Sequence, residues 1–120
     1  MEKRVVVAGC RDFFDYEKAE EFIDFCLQNV KEEHTLIILS GGAPGADALG
    51  ERYAREHGYK IEQYAADWDK YGKSAGPIRN EQMAKAADFI ICFWDKKSRG
   101  TRNMLECAKR HHKPYKIKEI

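Results

Sequence analysis

The stretch Thr35-Leu36-Ile37-Ile38-Leu39-Ser40-Gly41-Gly42-Ala43-Pro44-Gly45-Ala46-Asp47 decides the fold. Its apolar first part reads as a buried strand, and the glycines and proline that follow break the chain into a turn. Beyond the turn Ala46, Leu49, Tyr53 and Ala54 recur at helical spacing as far as Gly58, a suitable residue just past a helix end. A strand that passes through a tight turn into a helix is the opening of a βαβ unit.

Outward from there the same alternation continues in both directions. Upstream, Arg4–Gly9 is an apolar strand, and Ala19, Phe22, Ile23, Cys26, Leu27 and Val30 mark a helix over about Tyr16–Val30. Downstream, Tyr59–Tyr64 is a third strand, and a long polar loop, Ala66–Gly76, leads to a helix with Pro77 near its first position. Phe89–Trp94 is a fourth strand. The last helix starts near Thr101, uses Met104, Leu105 and Ala108, and ends before Pro114, from which a fifth strand runs to Ile120. Strands separated by helices predict an α/β fold with a parallel sheet covered on both faces. The first, second and fourth strands are nearly all apolar and belong in the middle; the third and fifth alternate and belong at the edges. That polarity fits a Rossmann-like, doubly wound five-stranded sheet of order 3-2-1-4-5, whereas a flavodoxin-like 2-1-3-4-5 order would bury the polar third strand. The chain then reverses between strands 1 and 4, and open α/β sheets bind ligands outside the carboxyl ends of the strands at such a point.

Length and composition bound the rest. The 120 residues, 43% hydrophobic and 34% charged, suit one domain, 1–120. The longest apolar run, Phe89–Trp94, is far shorter than the roughly 20 residues a bilayer requires. With no signal-like segment at the N-terminus, a cytoplasmic chain with no membrane partner is expected. The cysteines at 10, 26, 92 and 107 lack a C-x-x-C spacing and read as buried thiols, and no metal site is expected. Residues 1–95 hold 12 basic and 18 acidic side chains, whereas residues 96–120 hold 9 and 2. The cationic end is either a solvated face or an attraction for phosphates. An acidic body with a basic terminus also permits pairing of copies without selecting a geometry.

The loops after strands 1, 2 and 4 therefore hold the candidate site. After strand 1, Gly9 permits a tight turn and Arg11 offers a planar charged fork for phosphate or carboxylate, or else a surface pair with Asp12 or Asp15. After strand 2, Ser40, Gly41, Gly42, Ala43, Gly45 and Asp47 precede and open a helix, a plausible phosphate cradle or an ordinary turn and cap. The pattern is neither G-x-G-x-x-G nor a Walker A motif. After strand 4, Ser98, Gly100 and Thr101 stand at another helix start, with Thr101 able to cap it. Asp67 and Trp68 lie in the polar loop, where the indole could stack on a base or plug the sheet edge. Arg79 and Asn80 fall in the first turn of the following helix, where a cation opposes the helix dipole and calls for an anion. His111-His112 most simply complement the negative end of the last helix.

These residues also form a recognisable series: Gly9-x-Arg11-Asp12-Phe13, Gly41-Gly42-Ala43-x-Gly45-Ala46-Asp47, Ala66-Asp67-Trp68, Gly72-Lys73-x-Ala75-Gly76-Pro77-x-Arg79-Asn80-x-x-Met83 and Ser98-x-Gly100-Thr101. In order, and over nearly the whole chain, it resembles the small YspA/YpsA-related proteins of the SLOG superfamily, which includes the LOG phosphoribohydrolases and the DNA-processing protein A family. The resemblance implies a Rossmann-like fold and a nucleotide or nucleotide-derived ligand at the glycine-rich motifs, with no further cofactor required. It also exposes a departure. In LOG enzymes a glutamate follows the glycine-threonine pair and takes part in N-glycosidic cleavage; here that place belongs to Met104, whose thioether cannot transfer a proton. The expectations are thus a sensory or regulatory binding module first, then an N-glycosidase using Asp47 or Asp67, then a single-stranded nucleic-acid binder.

Overall fold

The computed structural model describes residues 1–30 and 35–120. Its elements are β1 (Glu2–Gly9), α1 (Tyr16–Leu27), β2 (Thr35–Ser40), α2 (Ala46–His57), β3 (Lys60–Gln63), α3 (Trp68–Tyr71), α4 (Ala75–Ala86), β4 (Phe89–Trp94), α5 (Arg99–Arg110) and β5 (Tyr115–Glu119), with a 3₁₀ turn at Gly72–Ser74. The strands form one parallel sheet in the order β3-β2-β1-β4-β5. The polarity argument therefore placed both edges correctly.

Side-chain alternation along the strands divides the core into two. Val5 and Val7 of β1, with Leu36, Ile38, Ile91 and Phe93, pack against Ala19, Ile23 and Leu27 of α1 and Leu49, Tyr53 and Ala54 of α2. The intervening Val6 and Ala8, with Ile37, Leu39, Ile90 and Cys92, pack against Met83 and Ala84 of α4 and Met104, Leu105 and Ala108 of α5. Each fully buried aliphatic or aromatic side chain contributes about 1.5–3 kcal/mol, so the two layers dominate stability. Helix α2 lies so close to β1 that a methyl at Gly50 would come within 2.6 Å of Val7 Cβ. Among the described residues no helix is long and apolar enough to cross a membrane.

Several boundaries differ from the sequence reading. The polar loop contains α3, capped by Asp67, whose Oδ1 accepts from Lys70 N at 3.1 Å. Helix α4 begins at Ala75, so Pro77 is its third residue and Arg79 lies beyond its first turn. Helix α5 is capped by Ser98 instead of Thr101: Ser98 Oγ accepts from Thr101 N at 3.3 Å. Helix α1 stops at Leu27, and the next residues close in a turn with Val30 N donating to Leu27 O at 2.9 Å. Instead of merely complementing its own helix, His111 reaches across to Glu81 of α4, which Arg110 also engages at 2.5 Å. Cys10, Cys92 and Cys107 are buried free thiols, while Cys26 is only half-buried.

Candidate functional site

At the carboxyl edge of β1, β2 and β4 the loops enclose a cleft with two lobes. The inner lobe, about 200 Å³, has Ala8, Met83 and Met104 as its apolar floor and Asp47, Asn80, Ser98 and Thr101 among its polar walls. The outer lobe, about 300 Å³, lies between the Gly41–Pro44 loop, Gln63 and Trp68. Arg11, Ala43 and Arg79 border both lobes and so form the waist between them. Gly42 and Gly100 accordingly belong to one crevice. Larger hollows of about 560 Å³ beside α1 and about 480 Å³ between α4 and α5 lie elsewhere on the surface and share no lining residue with either lobe.

The β1 loop is shaped by close approach. A methyl on Gly9, whose φ is +153°, would stand 2.3 Å from Phe93 O, and Cys10 N extends the ladder by donating to Phe93 O at 3.0 Å. This turn delivers Arg11 to the waist, exposed and without an ion pair among the described residues. Asp15, a proposed partner for it, instead caps α1 by accepting from Lys18 N at 3.1 Å.

The glycine loop after β2 is more occupied than a free cradle. Gly42 N donates to Ser40 Oγ at 3.1 Å, Ala43 N to Asp47 Oδ2 at 3.2 Å, and Ala46 N to Cys10 O at 3.0 Å. Ser40 is buried behind the loop, where it also donates to Glu51 Oε2 at 2.7 Å. Gly45 has φ +78° and faces the β1 loop, where a methyl would lie 2.4 Å from Cys10 O. Its role is to let two loops touch. Asp47, only 6% exposed, has its carboxyl pushed up to about 6, chiefly by burial. The Ala43 N–H, Arg79 and Arg11 oppose that shift, and Glu51 adds to it.

Arg79 and Asn80 tie the loops together. Arg79 Nη1 donates to Gly41 O at 2.8 Å and Nε to Asn80 Oδ1 at 2.9 Å, while Asn80 Nδ2 donates to Gly100 O at 3.3 Å and Asn103 Oδ1 at 3.0 Å. Asn80 thus positions its neighbours, and its hydrogen-bonding groups are already engaged within the protein. Burial lowers the pKa of Arg79 and nearby Asp47 counters that; the guanidinium remains charged.

The α5 start forms the opposite rim. Asp95 Oδ1 accepts from Lys97 N and Ser98 N, each at 2.8 Å, which fixes the loop and holds the Asp95 carboxyl below its ordinary range. Ser98 Oγ accepts from both Thr101 N and Thr101 Oγ1, leaving its own O–H to donate. No hydrogen bond among the described residues claims the N–H of Arg99 or Gly100, and a methyl on Gly100 would meet nothing within 4 Å. Helix N-termini with unclaimed N–H groups favour anions.

Two residues of the polar loop stand apart from the waist. Asp67 is exposed and spent on capping α3. Trp68 is 52% exposed, so it borders the outer lobe instead of plugging the sheet, with its ring over Gly76 at 3.4 Å from an added methyl. The sequence reading missed Ala8 and Gln63 as lining residues, because neither bears a motif or charge that would single it out, and it carried Met83 in a motif without giving it a place in the site.

A sequence model of the YspA, cpYpsA-related SLOG family matches residues 3–71. The chain belongs to that family. This SLOG-family chain is 32% identical over 114 residues to the Gene 61 protein of Mycobacterium phage D29, covering 90% of each. Its fold is similar to DNA processing protein A from Streptococcus pneumoniae, with a TM-score of 0.72 and 20% identity over 98% of this chain and 50% of that one. It is also similar to DNA processing protein A from Helicobacter pylori, a protein described with a single-stranded DNA binding mode, with a TM-score of 0.67 and 20% identity over 96% of this chain and 64% of that one. The SLOG-family chain therefore spans only half to two thirds of these structural neighbours.

Proposed function

We propose that the cleft binds a nucleotide or nucleotide-derived phosphorylated small molecule and that the output is sensory or regulatory. The observation that carries this reading is the coincidence of two arginines with an unclaimed helix start: Arg11 and Arg79 border both lobes, and Ser98 O–H and the N–H groups of Arg99 and Gly100 lack protein partners among the described residues. In this arrangement the phosphate lies between the guanidiniums and the start of α5, and the sugar and base extend along the outer lobe toward Trp68. The glycine loop supplies the wall, with Gly41 and Gly42 letting Arg79 and Gln63 approach its backbone.

Binding without hydrolysis is favoured by the inner lobe's chemistry. Met104, 1% exposed, lines it where a LOG-type glutamate would stand, and Asp47 is the one carboxylate among its described lining residues. Binding to single-stranded nucleic acid is the competing reading, supported by the likeness of fold to DNA processing protein A. Against it, Lys96 pairs with Glu119 at 3.3 Å, Arg110 with Glu81, and Lys113 Nζ donates to Ala87 O at 2.6 Å, so part of the cationic end serves the fold itself.

The test is calorimetric titration of the purified protein with nucleoside monophosphates and their 5′-methyl phosphodiesters, with Arg11→Ala as the control. Arg11 is exposed and has no ion pair among the described residues, so its loss leaves folding intact and weakens binding about tenfold or more, the usual value of a charge-assisted contact. Equal affinity in both proteins, or heat from none of the nucleotides, ends the proposal. Affinity for an oligonucleotide that falls steeply with salt would favour the competing reading.

A further inference from the structure

The inner lobe already contains an anion. Asp47 Oδ2 sits 3.2 Å from Ala43 N, on an amide of the very loop that sequence would assign to a phosphate. The carboxylate and the Arg79 guanidinium converge on one spot: a methyl at Gly41 would stand 2.9 Å from Asp47 Oδ2 and 2.3 Å from Arg79 Nη1. Despite that convergence, no ion pair within salt-bridge distance links Asp47 to either arginine among the described residues, and its carboxyl accepts one hydrogen bond.

The groups that act on this carboxylate come from every element packed around it. Arg79 comes from α4, Arg11 from the loop after β1, Glu51 from one turn further along α2, and the fully buried Cys92 thiol from β4. Among the described residues no histidine lines either lobe. With Asp47 ionised, the two arginines leave the cleft one net positive charge. A singly charged phosphodiester balances that charge, whereas a dianionic phosphomonoester adds an uncompensated negative charge beside a carboxylate that is removed from water, where charges are weakly screened.

We infer that Asp47 is the resident anion of the cleft and sets the charge of the phosphate it accepts, so that the protein prefers a small nucleotide phosphodiester to the corresponding phosphomonoester. This rests on the phosphate-binding reading above and specifies its ligand class. The closed apolar floor of Met83 and Met104 limits the inner lobe to a small molecule.

The experiment titrates the full chain and Asp47→Asn with each of the four ribonucleoside 5′-monophosphates and with its 5′-methyl phosphodiester. The methyl group is common to both proteins, so the exchange of charge alone separates them. At about pH 8 the wild type binds a diester about tenfold more tightly than the monoester; Asp47→Asn strengthens both, but the dianionic monoester about tenfold more than the diester, which erases that preference. The diester has a fixed charge, so its pH profile reports the protein. Wild-type affinity for it tightens severalfold as pH falls from about 8 to about 5 and Asp47 takes up a proton; the variant's profile is flat. If the variant fails to fold, the wild-type profile decides by itself.

A wild type that prefers the monoester, or a flat wild-type diester profile, overturns the inference while leaving phosphate binding intact. Absence of binding by either ester to either protein overturns both. A thymidine decamer that displaces the diester would overturn the assignment to a small molecule.

Discussion

Helices α2 and α5 both open onto the cleft from glycine-bearing loops, yet they use their exposed starts differently. The loop ahead of α2 has closed on itself: the N–H groups of Gly42, Ala43 and Ala46 go to Ser40 Oγ, Asp47 Oδ2 and Cys10 O. The start of α5 is capped by Ser98 but leaves the N–H groups of Arg99 and Gly100 without protein partners among the described residues. The first turn of α2 contains Asp47, and that of α5 has no acidic residue. A glycine-rich loop thus identifies a phosphate seat only where its amides are left over from the fold, and here those of Gly42, Ala43 and Ala46 are already taken.

The largest effect should come from filling the closed side. Gly45 has φ +78° and ψ −128°, a conformation open essentially only to glycine, and an alanine methyl there would press 2.4 Å from Cys10 O and 2.5 Å from Arg11 O. Gly45→Ala should cost about 3 kcal/mol or more in denaturant unfolding and displace Arg11 from the waist. A loss below about 1 kcal/mol would mean the two loops do not depend on each other.

Asp47→Asn tests the same side through charge. The Asp47 carboxyl is raised from 3.8 to about 6 in the folded protein, so folding favours its protonated form. The resulting penalty is absent below about pH 4, grows as the carboxyl ionises, and is complete above about pH 6. Asparagine keeps an acceptor for Ala43 N and removes the charge. The variant should therefore gain about 3 kcal/mol over wild type near pH 8 and little near pH 4, read from unfolding at both values. A variant less stable than wild type at pH 8 would show that attraction to Arg11 and Arg79 exceeds the cost of burial.

This contrast marks where the sequence stops being readable. The sheet order was legible because burial acts on whole strands: Val5–Ala8 and Phe89–Trp94 are apolar on both faces, whereas Lys60–Gln63 and Tyr115–Glu119 are not. The meeting of the β1, β2 and β4 loops followed from that order. What escaped was the division of labour within the loops, because it depends on which partner each hydrogen-bonding group finds. Asn80 read as a ligand contact and is instead occupied with Arg79, Gly100 and Asn103. Asp67 read as a site carboxylate, but three residues of local geometry make it a cap for α3. That short helix and the early start of α4 escaped too, since Ala75-Gly76-Pro77 reads as a break and its helical conformation depends on packing, with Ala75 and Gly76 buried.

The smallest effect is the sharpest test of the open side. Gly100 is the second residue of α5, its φ lies outside the left-handed region, and a methyl there meets nothing within 4 Å. Alanine loses less conformational freedom on entering a helix than glycine, so Gly100→Ala should raise stability by about 0.5 kcal/mol, or about 2 °C in Tm. If the α5 start were only a cap, nucleotide affinity would be unchanged or slightly improved by the firmer helix. If it is the phosphate seat, the same methyl stands in the cleft beside the unclaimed amide, and affinity should fall severalfold while stability rises. A stability gain coupled to a binding loss cannot arise from general damage to the fold, and it would assign the anion to α5 rather than to the glycine loop of α2.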